Sequence, residues 1–255
     1  MLTETPIEAQ LAALGADSLE VLVVGAGVAG TALAQLLRGQ GLHPVLIERA
    51  VPDSIPGYML ALMPLVDPVI DELETRSAYF DRSTALARFR LRSHTGRPVR
   101  EDPLGDLMAR YGDYRGLSRG DLLDVLSSAG GSVSYQTTVT SIRQDQQQAT
   151  ATLRSPSGER EITVDVIIAA DGLHSQTRSL ILHKSAVEVV DTGWGGWVAW
   201  ADADSDTDLA EELWGAGFFV GSYPVLGRLG VIVCGPADLT RHGSTALVTL
   251  RSAPA

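Results

Sequence analysis

The chain has 255 residues, 45% of them apolar and 20% charged, enough to bury a substantial core in one large domain or two interlocked ones. Its net charge of −11 argues against a nucleic-acid surface, because no basic stripe stands ready to neutralise phosphates, and it disfavours anionic membranes. A single cysteine, Cys234, forms no intramolecular disulfide and suits a reducing, cytoplasmic setting, its apolar surroundings at 229–234 reading as a buried strand thiol.

Residues 1–19 carry Glu4, Glu8 and Asp17 and no basic n-region, so they read as an N-terminal extension and not a secretory signal. The uncharged run 21–37 approaches the length of a membrane span, but Gly25, Gly27 and Gly30 interrupt it, and no span is expected. Residues 21–24 form a short, β-branched apolar run, the pattern of a strand covered on both faces. From Val28 the apolar residues recur at helical spacing through Ala29, Leu33, Leu36 and Leu37, and the pattern stops at the glycines 39 and 41. A second apolar strand at 44–47 completes a strand, helix, strand unit with a right-handed parallel crossover.

Residues 61–74 have helical character interrupted by Pro64 and Pro68, and 86–91 alternate apolar residues with arginine as a half-exposed strand does. Ser118 precedes a helical pattern at 119–126 as a candidate N-cap. Strands are expected at 132–135, 139–143 and 149–154, with a hairpin turn at 156–158 leading into 161–164. A further buried strand at 164–170 delivers Asp171-Gly172 at its carboxyl end, ahead of a short helix at 175–182. Beyond Val187 strands predominate, at 197–201, 217–223 and 229–234, suggesting a separate, mostly antiparallel sheet.

Gly25-Ala26-Gly27-Val28-Ala29-Gly30 satisfies G-x-G-x-x-G between a buried strand and a helix, the context that gives the pattern meaning. Gly25 permits a tight turn, Gly27 lets backbone approach a pyrophosphate, Gly30 allows the helix to pack on the strand, and the helix N-terminus favours anionic phosphates. Glu48, at the end of the next strand, stands where a carboxylate accepts hydrogen bonds from both ribose hydroxyls of an adenosine and repels a 2′-phosphate. These residues suit FAD or NAD over NADP and leave the choice between the first two open.

Glu48-Arg49, Arg119-x-x-Leu122-x-x-x-Leu126 and Ala170-Asp171-Gly172-Leu173-His174-Ser175-Gln176-Thr177-Arg178 together resemble the flavoprotein monooxygenases related to p-hydroxybenzoate hydroxylase. The resemblance covers about residues 20–235. It implies an α/β fold with a Rossmann-like FAD-binding domain of glutathione-reductase type at 20–185, interleaved with a β-rich substrate domain formed by about 84–100 and an incomplete 186–255. It places Arg119 beside the flavin's phosphate and ribityl region, gives Asp171 and Gly172 a part in holding FAD and admitting NADH or NADPH, and sets the backbone at Thr138-Val139 against the adenine. The cofactor-binding set expected on these grounds is Gly25, Gly27, Val28, Ala29, Gly30, Glu48, Arg49, Arg119, Val139, Asp171 and Gly172, with no residue named as a catalytic acid or base and no metal.

The implied chemistry is reduction of FAD by NADH or NADPH as a transient reductant and transfer of an oxygen atom from O2 to a small aromatic or unsaturated molecule; a related alkene or polyprenyl reductase and a non-catalytic FAD-binding module are the alternatives. Members of the family continue past this length and carry a second Gly-Asp motif, for which Gly235-Pro-Ala-Asp238 is a poor substitute, so the C-terminal part is expected to be lacking. A simple NAD dehydrogenase is disfavoured because the second half lacks repeated strand-helix units. Gly116-Leu117-Ser118-Arg119-Gly120 matches a nucleophile elbow, but 110–115 are polar and charged, and the elbow needs a buried strand there. Asp202, Asp204, Asp206 and Asp208 read as a solvated acidic loop in preference to a calcium site. The tryptophans at 194, 197, 200 and 214 are expected to pack the second sheet, with one face possible as a border of a substrate pocket.

Overall fold

The computed structural model describes residues 1–52, 57–203, 206–215 and 217–237, and the motif residue Asp238, like Asp204 of the acidic loop, lies outside them. The chain divides into two compact units, Met1–Pro56, Pro68–Tyr79 and Gly120–Glu188 forming the first, and Gly57–Asp67, Phe80–Arg119 and Val189–Ala255 the second. No helix among the described residues is long and apolar enough to cross a membrane. The uncharged run 21–37 is split between a strand, Val21–Val24, and a helix, Val28–Gly39.

The first unit is built around a three-stranded parallel sheet in which Val21–Val24 lies between Val166–Ala169 and Val45–Ile47. Because successive side chains of a strand point to opposite faces, Leu22, Val24, Val45 and Ile47 join one core while Val21, Val23 and Leu46 join another. The first of these cores includes Val139, Leu153, Ile162 and Val164 of an antiparallel meander formed by Thr138–Gln144, Ala149–Ser155 and Gly158–Val164. The second includes Ala34 of the Val28–Gly39 helix. Residues 1–19 belong to this unit: Thr3–Glu4 pairs in parallel with Ser132–Val133, and Ile7 and Leu14 of the helix Ile7–Leu14 are buried in the first core. Gln10 of that helix is buried too, its amide donating to the Leu46 carbonyl at 3.1 Å and to Ser134 Oγ at 2.7 Å.

Three expectations for single elements are corrected. Within 61–74, expected to be helical, Ala61 and Leu62 instead close a strand, Met59–Leu62, which is followed by a 3-10 turn, Pro64–Val66, and by helix only at Asp67–Glu72. Each proline sits in the opening turn of its segment, where its missing N–H costs no bond, and the apolar residues ahead of Pro64 pair with Arg115–Ser118 in an antiparallel register. The strand at 166–169 is not buried throughout: among the described residues it is one of the two outer strands of its sheet, and Val166 is exposed.

The third correction concerns the segment ahead of Ser118, where the polar, charged run 110–115 argued against a buried strand; Arg115–Ser118 is one, with every residue buried, although it takes in only the last residue of that run. An arginine fits because its guanidinium donates from Nε to Ser83 Oγ at 2.6 Å and from Nη2 to the Ser83 carbonyl at 3.0 Å, and lies 4.2 Å from the centre of the Phe80 ring. Gly116 is required there, since a Cβ would stand 2.1 Å from the Pro224 carbonyl oxygen.

The second unit carries a six-stranded sheet, in the order Trp194–Asp202, Arg228–Pro236, Phe218–Val225, Leu209–Gly215, Arg88–Ser93 and Pro98–Asp102. All its pairings are antiparallel except that of Leu209–Gly215 with Arg88–Ser93. One face is apolar, Phe89, Ala210, Tyr223 and Ile232 packing with Met59, Leu86 and Trp200. The other carries an ion-pair ladder in which Arg88 meets Asp206 and Asp208, Arg90 meets Glu101 and Glu211, and Arg92 meets Glu211. The acidic loop is thus partly spent on Arg88.

Candidate nucleotide site

The glycine-rich turn, the end of the Val45–Ile47 strand and the end of the Val166–Ala169 strand meet at the carboxyl edge of the parallel sheet, the usual location of ligands in open α/β sheets. Gly25 has φ of +104°, and a Cβ on it would lie 2.6 Å from the Ala170 carbonyl oxygen and 2.9 Å from Asp171 Cα. A Cβ on Gly30 would lie 1.8 Å from the Gly25 carbonyl oxygen. Any side chain at either position would push the turn away from the strand that delivers Asp171. Gly27 is the N-cap of the Val28–Gly39 helix, and no side chain caps it; the amide of Thr31 is bonded to the Gly27 carbonyl at 2.9 Å. Ahead of Thr31 the positive end of the helix therefore opens on Val28 and Ala29, which are half-buried and exposed respectively.

Glu48 is tied to this turn. Its Oε2 accepts the Ala26 amide at 2.9 Å and its Oε1 the Ala50 amide at 2.9 Å, so the carboxylate is fixed in place with lone pairs to spare on each oxygen. Arg49 is exposed, with no partner among the described residues. Asp171 is held as firmly: Oδ1 accepts the Ser175 hydroxyl at 2.5 Å, and Oδ2 accepts the Thr177 amide at 3.0 Å and hydroxyl at 2.9 Å. Burial pushes its carboxyl up, but the hydrogen bonds from Ser175 and Thr177 outweigh that and hold it below the usual carboxylate range. Ser175 in turn caps the helix Gln176–Ile181 by accepting the Arg178 amide at 2.9 Å. Gly172 is exposed with φ of +81°.

Gly25, Gly27, Val28, Ala29, Gly30, Glu48, Asp171 and Gly172 are thereby brought to one edge of the first unit. Val139 has its side chain in the core beside Leu22 and Val24, leaving its backbone as the part that could meet a ligand. Arg119 opens the helix Arg119–Leu126 directly after the Arg115–Ser118 strand, its amide donating to the Tyr58 carbonyl at 2.8 Å, and it falls in the second unit. Sequence reasoning missed the Ala26 and Ala50 amides as the anchors of Glu48, since backbone donors leave no mark in a residue pattern, and missed Ser175 and Thr177 as the anchors of Asp171, for which the two hydroxyl residues shortly after the carboxylate were the available signal. Ser118, in the elbow-like pentapeptide, is 6% exposed and its φ is not positive, so it is not presented on a strained turn.

The arrangement offers an anionic, hydroxyl-bearing ligand a helix N-terminus and a pre-oriented carboxylate. Compared with protein families, residues 18–57 and 117–215, more than half of the chain, match the family described as FAD binding domain. This chain belongs to that family. A flavin-dependent monooxygenase from Legionella longbeachae is 28% identical over 178 residues, covering 69% of this chain and 45% of that protein. The 3-amino-4-hydroxybenzoate 2-monooxygenase of Streptomyces cremeus is 29% identical over 170 residues, covering 66% of this chain and 43% of that protein. Among solved structures, HpxO from Klebsiella pneumoniae, complexed with FAD and uric acid, superimposes with a TM-score of 0.73 at 22% identity, over 88% of this chain and 61% of that one. The fold is therefore the mixed α/β fold of FAD-binding monooxygenases. The chain spans a little under half the length of the curated relatives it matches.

Proposed function

We propose that the first unit holds the ADP half of FAD and that the chain serves an FAD-dependent monooxygenase that hydroxylates or epoxidises a small aromatic or unsaturated molecule, with NADH or NADPH as transient reductant in a reducing cytoplasm. The observation that carries this reading is the pinned Glu48 carboxylate beside the uncapped helix, two groups matched to ribose hydroxyls and to a pyrophosphate. In this reading Gly25 and Gly30 keep the turn tight, Gly27, Val28 and Ala29 present backbone to phosphate, and Glu48 accepts the ribose hydroxyls. Arg49 and Arg119 add positive charge near phosphate, the Val139 backbone borders the adenine, and Asp171 and Gly172 shape the entrance.

The bound flavin supplies the redox chemistry; the protein's share is position and exclusion of water. Both relatives named above are monooxygenases, which supports the reaction class. The test is the visible flavin spectrum of the purified chain mixed with FAD and passed through a desalting column, followed by NADH or NADPH under air. Retained flavin together with pyridine-nucleotide oxidation that consumes O2 supports the reading, and flavin that elutes free overturns it.

A further inference from the structure

Two adjacent glutamates on the Leu209–Gly215 strand are treated in opposite ways. Glu211 lies on the charged face and is paired with Arg90 at 3.2 Å and Arg92 at 2.8 Å. Glu212 points to the apolar face, beside Leu91 in the parallel register and opposite Gly221 in the antiparallel one. There, among the described residues, its hydrogen-bond partners are neutral: Oε1 accepts the Tyr223 hydroxyl, and Oε2 accepts Trp214 Nε1 at 2.7 Å. Among the described residues no cation pairs with it.

A half-buried carboxylate on an apolar face, balanced only by neutral donors, costs free energy that a hydrophobic residue would not. The surroundings are arranged to keep it. A Cβ at Gly221 would lie 2.6 Å from the Tyr223 ring and 2.9 Å from the Phe219 ring, so the glycine is what lets both rings lean over that position. Phe219 meets Trp214 edge to face at 4.8 Å, and Trp214 remains 55% exposed. Burial, then the charge of Glu212, pushes the Tyr114 phenol above the usual phenol range, and burial with the Glu212 bond does the same for Tyr223.

An ionised carboxylate has about four acceptor positions, of which two are used here. The Tyr223 proton is committed to Glu212. What remains on offer is lone pairs and one negative charge, next to exposed aromatic surface. We infer that Glu212, set by Tyr223 and Trp214, is a specificity-determining group that binds the hydroxyl or amino hydrogen of a neutral aromatic ligand, a phenol or aryl amine, and turns away aryl carboxylates. This rests on the proposed function only in making the bound ring the molecule to be oxidised.

The test is calorimetric titration of the full chain, without reductant, with 2-naphthol, its methyl ether 2-methoxynaphthalene, and 2-naphthoate. Wild type should bind the naphthol about tenfold more tightly than the ether, as expected for a charge-assisted hydrogen bond, and the naphthoate more weakly than either. Glu212→Gln, which removes the charge and adds a competing donor, should bring the naphthol and the ether within about twofold and relieve the discrimination against naphthoate. Should that variant lose its far-ultraviolet circular dichroism, Tyr223→Phe decides instead: it keeps the charge and frees an acceptor, so the naphthol preference should persist or grow. A wild type that binds the ether or the naphthoate as well as the naphthol, or none of the three, overturns the inference. None of these readouts involves flavin, so failure of the FAD assignment shows separately in the absorbance test.

Discussion

The two units invite comparison because each uses the main chain and side chains for different purposes. In the first, the candidate chemistry is backbone: amides at a helix start, a carboxylate anchored by the Ala26 and Ala50 amides, and glycines at 25 and 30 whose missing Cβ atoms let the segments touch. In the second, the sheet sorts side chains onto a charged face and an aromatic face, and the candidate chemistry sits where that sorting is broken by Glu212. Backbone chemistry tolerates little change in a few positions, whereas side-chain chemistry is spread over positions that each tolerate more.

The largest expected effect is therefore at Gly30. Gly30→Val must displace the Gly25 carbonyl, which a Cβ would approach to 1.8 Å, and should cost at least about 3 kcal/mol with loss of retained FAD. Urea unfolding and the flavin spectrum after desalting measure the two consequences. A variant that retains wild-type stability and flavin would break the claim that this unit works through close backbone contact.

Next is Arg115, the buried cation of the second unit. Arg115→Ala leaves the Ser83 hydroxyl and carbonyl without this donor and removes the contact with Phe80, for an expected loss of about 2 kcal/mol. Chemical denaturation of the variant checks the value. If the loss is negligible, the buried strand Arg115–Ser118 does not depend on that guanidinium.

A smaller effect concerns pH. Because hydrogen bonds from Ser175 and Thr177 outweigh burial and hold the Asp171 carboxyl below its unfolded value, its contribution to stability is complete above about pH 4 and is lost as pH falls through the folded value. The stability gap between wild type and Asp171→Asn, from melting curves between about pH 6 and about pH 3, a range that brackets the ordinary aspartate value, should close toward the acid end. A gap that widens on acidification would contradict the assigned direction.

This contrast also explains what could be read in advance. The strands Val21–Val24 and Val45–Ile47, the Val28–Gly39 helix and the glycine turn follow from local patterns, apolar runs of strand length and glycines at fixed offsets, and the structure matches them closely. The strand Arg115–Ser118 was not legible because an arginine at its start reads as solvated until Ser83 and Phe80, more than thirty residues away in sequence, are seen around it. Met59–Leu62 was lost for a similar reason: its partner is non-local, and four apolar residues before a proline carry no period of their own. Glu212 was invisible because nothing in the sequence distinguishes it from Glu211; only the pleat, which alternates their faces, does so. Glu48 was legible as a ribose acceptor by its offset from the turn, while the amides that fix it were not.

The account rests most directly on Glu48, and calorimetric titration of wild type, Glu48→Ala and Arg49→Ala with ADP tests it. The expected result is affinity reduced about tenfold or more in Glu48→Ala, from loss of charge-assisted bonds to the ribose, and changed less than about threefold in Arg49→Ala. Equal ADP affinity in wild type and Glu48→Ala would contradict it.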